Sequence, residues 1–118
     1  MSNAEIFVKF SRVGFHCWPL APGHRSYLTQ QHRHRFDVKA SCEVTHDDRE
    51  IEFHDMIDFG ESMFADILIH GDISQSCEAM ARELARRYCH KYKRAFSVTV
   101  GEDEECGATV IYAPDGDI

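Results

Sequence analysis

The strongest constraint on the fold is a strict alternation that runs from His32 to Val44. Phe36, Val38, Ala40 and Cys42 fall on one side, and Arg35, Asp37, Lys39 and Ser41 on the other. A period of two sends successive side chains to opposite faces, so this segment is expected to be a strand with one face in a core. Residues 5–15, rich in aromatic and β-branched types, are expected to be a second strand, and Phe96–Val100 and Thr109–Tyr112 two shorter ones. Pro19, Pro22 and Gly23 mark a loop between the first two strands, lasting to about residue 30. Asp47-Asp48-Arg49-Glu50 reads as a turn, after which Ile51–Ile57 can continue or re-pair the sheet.

Helical signals fill the middle of the chain. Asp58 can cap a short helix running to about Leu68, and a Gly71-Asp72 turn follows. Ser74 or Ser76 can then cap a second helix. Met80, Ala81, Leu84, Ala85, Tyr88 and Cys89 share one face of it at i, i+4 spacing. Arg82, Arg86, Arg87, Lys91, Lys93 and Arg94 lie outside that face and read as a solvated surface, with Glu78–Arg82 and Glu83–Arg87 as supporting pairs. The order is strand, strand, helix, helix, strand, strand: an α+β domain without repeats or low-complexity segments.

With 118 residues there is room for one domain, spanning 1–118. At 43% hydrophobic residues it can bury only a thin core, and oligomerisation is a natural way to complete a site in so small a chain. A formal net charge of −7 argues against a surface built to neutralise phosphates, so nucleic acid is not an expected partner. No apolar run is long enough to span a bilayer, and no apolar stretch after Met1 resembles a secretory leader, so a membrane partner is not expected either. Cys17, Cys42, Cys77, Cys89 and Cys106 form an odd set with no C-x-x-C pair, which reads as reduced thiols in a cytoplasmic protein.

The eight histidines carry the chemistry. His16, His24, His32, His34 and His46 crowd into one stretch. His32 and His34 lie on the polar side of their strand's alternation or at its start, and their spacing of two points both imidazoles to one face. An antiparallel hairpin brings the end of the first strand, with His16, beside the start of the second. Three histidines with an open fourth position is the arrangement of a catalytic zinc site, whereas structural sites are closed. Cys17, next to His16, is expected to face away from the metal.

Taken together and in order, these motifs resemble the 6-pyruvoyl-tetrahydropterin synthase / 6-carboxy-tetrahydropterin synthase family. The resemblance covers His16, the Pro-containing loop with Gly23-His24, His32-Arg33-His34 opening a strand, and Met56-Ile57-Asp58-Phe59. It continues through Gln75-Ser76-Cys77-Glu78, Val98-Thr99-Val100-Gly101-Glu102 and the Ile111-Tyr112 terminus. It implies the tunnelling fold (T-fold), a four-stranded antiparallel sheet with two helices on one face, in the order ββααββ. Such subunits join edge to edge into barrels, commonly a homohexamer.

The resemblance also implies Zn2+ on His16, His32 and His34, and a zinc-dependent lyase acting on 7,8-dihydroneopterin triphosphate or a related pterin. That activity belongs to deazaguanine (queuosine-type) or biopterin routes. Glu102 is the expected substrate anchor, with Ser76 on the same ring edge; Glu104, pointing the same way along an extended strand, is the alternative. His70 is expected to serve as acid or base. The chain departs from the family at the proton-transfer groups. Leu28 stands where a cysteine is usual, and a second anchoring of the loop puts Ser26 there. Leu68-Ile69-His70 lacks the usual aspartate, and Arg33 replaces a glycine. A repurposed pterin- or purine-binding protein, and an interaction domain whose histidines are incidental, are the other readings.

Overall fold

The computed structural model describes residues 3–117. In chain order the elements are β1 (Ala4–His16), a 3-10 segment (Gly23–Thr29), β2 (His32–Val44), α1 (Phe53–His70), α2 (Cys77–Tyr92), β3 (Phe96–Glu102), β4 (Cys106–Ala113) and β5 (Gly116–Asp117). The strands form one antiparallel sheet in the order β1-β2-β3-β4-β5. Its first four strands are those expected; the two-residue β5 is an addition to them.

The alternation in β2 decides which face is buried. Phe36, Val38, Ala40, Cys42 and Val44 all point inward. Their neighbours across the ladders follow suit: Val38 pairs with Phe10 and Val100, and Ala40 with Val8 and Val98. Directly opposed residues share a face, so one register specifies the whole inward layer. The helices cover it with Met56, Phe64 and Ile67 from α1 and Met80, Ala81, Leu84, Ala85 and Tyr88 from α2.

Two helix starts differ from expectation. Ile51–Ile57 does not extend the sheet: α1 begins at Phe53, capped by Glu52, whose carboxylate accepts from the Asp55 N–H at 3.0 Å. Ile51, Phe53 and Ile57 mimic a strand locally, but Met56, Gly60, Phe64 and Ile67 are the buried set, and their spacing is helical. Asp58 therefore lies inside the helix and caps nothing. At α2, Ser76 is the cap, accepting from the Ala79 N–H at 3.1 Å, while Ser74 closes a turn on Asp72.

Gly60 lets the helices meet. A side chain there would strike the Tyr88 hydroxyl, which donates to the Met56 carbonyl at 2.7 Å. The basic face of α2 is more than a solvated surface. Arg87 bridges Glu83 on its own helix and Asp66 on α1, at 2.7 and 2.8 Å, and Arg94, just beyond the end of α2, pairs with Glu50.

Candidate metal centre

His16 is the last residue of β1 and His32 the first of β2, and the register places them directly opposite each other. His34 lies two residues further along β2, on the same face. The three ring centroids are 4.6, 4.8 and 5.2 Å apart, and one nitrogen from each ring falls within 4.8 Å of the others. The group could hold a metal ion. His32 and His34 are not on the polar side of their strand. They share parity with Phe36 and Val38, so they continue the inward row past the point where the apolar layer stops. Phe36 floors the cluster, its ring 5.3 Å from His16 and 5.8 Å from His34. Arg33, on the opposite parity, is exposed on the outer face and does not crowd the site.

The hydrogen bonds fix which nitrogens are free. His16 Nδ1 is 3.1 Å from the Gln75 carbonyl, His32 Nδ1 is 3.0 Å from the Gln30 carbonyl, and His34 Nδ1 is 2.7 Å from Asp103 Oδ2. Carbonyls and carboxylates only accept, so each Nδ1 carries the proton and donates. A neutral ring then keeps its lone pair on Nε2. Outer partners that fix tautomer and ring angle in this way are what metal-ligating histidines require. Burial holds His16 below its ordinary imidazole range, a shift the Gln75 carbonyl and Glu102 carboxylate only partly offset. The uncharged, ligating form is favoured there.

Asp103 is the most specialised of these partners. It sits in the left-handed region at φ 54°, followed by Glu104 at φ 62°. Few non-glycine residues occupy that region. The turn is secured by reciprocal bonds: Asp103 N–H donates to the Arg35 carbonyl at 2.8 Å, and Arg35 N–H to Asp103 Oδ1 at 2.9 Å. The other carboxylate oxygen is thereby aimed at His34. His34 and the Arg35 N–H hold the Asp103 carboxyl below its ordinary value.

Glu102 faces the cluster from β3, paired with Phe36 and so on the inward face. Its Oε1 lies 3.0 Å from His16 Nε2 and its Oε2 3.6 Å from His34 Nε2. Cys77 Sγ is 3.4 Å from Oε1, positioned to donate. Burial, and then the Glu102 charge, push this thiol up to about 12, so it stays protonated. Glu104 does not point the same way. The strand ends at Glu102, and the left-handed turn carries Glu104 to another surface, where its N–H donates to Asp37 Oδ2 at 2.8 Å.

Beside the cluster opens a cavity of 540 Å³, whose walls include His16, His32, Glu102, Trp18, Leu28 and Ser76. Cys17 lines it too, contrary to expectation, because β1 has ended and strand alternation no longer governs that residue. Ser26 and His70 are not among the lining residues. Ser26 is exposed in the 3-10 segment, its carbonyl accepting from Thr29. His70, at the exposed end of α1, pairs with Asp66 at 2.9 Å. A carboxylate one helical turn earlier thus meets His70 although residue 69 is isoleucine.

Cys77 and Asp103 were missed in the sequence. The Glu102–Glu105 run looks like an ordinary acidic turn, and Cys77 bears no spacing relation to another ligand. No known family's sequence model matches the chain, and comparison with curated proteins returns no match.

Proposed function

We propose that the chain is a T-fold zinc protein of the 6-pyruvoyl/6-carboxy-tetrahydropterin synthase type, a lyase acting on 7,8-dihydroneopterin triphosphate or a related pterin. The observation that carries this reading is the convergence of three Nδ1-anchored imidazoles beside a cavity that two of them, His16 and His32, line. The donor set suits zinc: three neutral nitrogens of borderline softness, each with its outer nitrogen engaged. His16, His32 and His34 would hold the ion, and zinc, when bound, would supply a Lewis acid that stabilises charge developing on a side-chain oxygen.

The remaining residues bind and orient. Trp18 and Leu28 offer apolar walls for a planar ring. A carboxylate at Glu102 can accept from ring N–H and amino groups in charge-assisted bonds, with Ser76 on the same wall and Cys77 steadying the carboxylate.

The test is direct. Purified protein given 7,8-dihydroneopterin triphosphate should release triphosphate in proportion to bound zinc; no release at any zinc loading rules the lyase out. A second reading has one observation in its favour, since Leu28 lines the cavity while Ser26 and His70 do not. On that reading the protein binds a pterin or purine-like ligand without turnover. Leu28→Cys combined with Ile69→Asp should then create activity.

Assembly into a homohexamer fits the free edge of β1, thirteen residues long, with Phe7, Val13 and Phe15 about half exposed. Equilibrium sedimentation gives the number of subunits. Among the described residues no helix is long and apolar enough to cross a membrane. The five free cysteines fit a reducing compartment, and we place the protein in the cytoplasm.

A further inference from the structure

We infer that Glu102 is the fourth ligand of the metal site, closing it until an incoming molecule displaces the carboxylate. The inference rests on the zinc reading above and deepens it, because a three-histidine site with an open position and a closed three-histidine, one-glutamate site differ in what can reach the ion.

His16 and His34 both spend their Nδ1 protons on acceptors, the Gln75 carbonyl and the Asp103 carboxylate. Their Nε2 lone pairs then face the oxygens of Glu102, which also carry only lone pairs. Acceptor against acceptor at 3.0 Å is repulsive unless a cation lies between them. A proton on one ring satisfies one contact; a metal ion satisfies all of them.

In a four-coordinate zinc site with bonds of about 2.0–2.1 Å, neighbouring ligand atoms sit about 3.3 Å apart. The two carboxylate–imidazole distances, 3.0 and 3.6 Å, straddle that edge length. The Glu102 carboxylate thus reaches the cluster from the His16 and His34 side, one oxygen toward each ring, so that a rotation of the side chain brings a single oxygen onto an ion held by the three histidines.

Glu102 is fixed by β-pairing to Phe36, and its Oε1 has Cys77 Sγ at 3.4 Å. A thiol donating to a metal-bound carboxylate is an outer-sphere support of the usual kind. Any role of Glu102 in holding a ring requires the carboxylate to leave the ion first, so ligand entry and opening of the site are one event.

The experiment uses the full-length protein, stripped with a chelator and reloaded with zinc or cobalt(II). Zinc affinity is measured against a chromophoric chelator, and azide is titrated into the cobalt protein while its visible spectrum is followed. Wild type should bind one zinc per chain. Glu102→Gln should bind it at least tenfold more weakly, shift the cobalt spectrum, and take azide at least tenfold more tightly. Glu104→Gln should match wild type in all three. Equal zinc affinity, spectrum and azide binding in Glu102→Gln and wild type overturns the inference while leaving a three-histidine site standing. No zinc on wild type overturns both readings. Should the glutamine variant fail to fold by circular dichroism, Glu102→Asp keeps the charge, withdraws it by one methylene and is read the same way.

Discussion

Beneath α1 and α2 the inward rows of β2 and β3 carry Val38, Ala40, Val98 and Val100, all 2% exposed or less. A few residues along the same rows, still inward, stand His34, His32 and Glu102, with His16 across the ladder. Parity is identical at the two ends; the cover differs. At the first end the layer above is helix, whose backbone groups are spent internally, so only apolar side chains fit. At the second, the layer above is the α1–α2 connection, which offers a carbonyl from Gln75, and the β3–β4 turn, which offers Asp103. Polar side chains can be fixed there without being orphaned. The same strand register therefore builds a core at one end and, at the other, a histidine cluster that could hold a metal ion.

The largest expected effect breaks the apolar end. Phe64 is fully buried, edge-on to Phe10 and Phe36, and Phe64→Ala should cost about 3–5 kcal/mol in urea unfolding. Next comes the response to metal. Zinc at a hundred times its wild-type dissociation constant should stabilise wild type by about 2.7 kcal/mol and His16→Ala by much less at the same zinc concentration, as read from thermal melts.

Asp103→Asn sharpens the comparison at the polar end. Asparagine tolerates the left-handed turn and keeps an oxygen for the Arg35 N–H, but removes the charge on His34. Zinc affinity should fall about 10–100-fold with the melting temperature of metal-free protein unchanged.

The smallest effect is remote from both ends. Arg94, and then the Thr45 hydroxyl and N–H, lower the Glu50 carboxyl from 4.5 to about 2. A folded-state value below the unfolded one stabilises at pH above the unfolded value, and that stability is lost as pH falls through about 2. Acid unfolding of Glu50→Gln between pH 5 and 2 should accordingly be less steep than that of wild type.

The sequence disclosed what local periodicity and register encode. Both bounds of β2 follow from its alternation, and the meeting of His16 with His32 follows from the hairpin. What it did not disclose depends on tertiary partners. Ile51–Ile57 is too short for its period to settle, and Met56, Gly60, Phe64 and Ile67 become a face only once a sheet lies beneath them. Asp103 acquires its role from two left-handed residues in a turn with no glycine to announce it, and Cys77 from a carboxylate twenty-five positions away. The side on which His32 and His34 lie follows from their positions, four and two residues before Phe36. Imidazoles on an inward row are accounted for only by the Gln30 carbonyl and Asp103 that take their Nδ1 protons.

The central claim is that the Nε2 atoms of residues 16, 32 and 34 meet on one ion. An anomalous-difference map at the zinc edge, from crystals grown with zinc, tests it most directly. One peak per chain is expected about 2.0–2.1 Å from all three Nε2 atoms, with each Nδ1 still on its present acceptor. A map with no peak there, or with zinc held through Nδ1 or without His16, contradicts it.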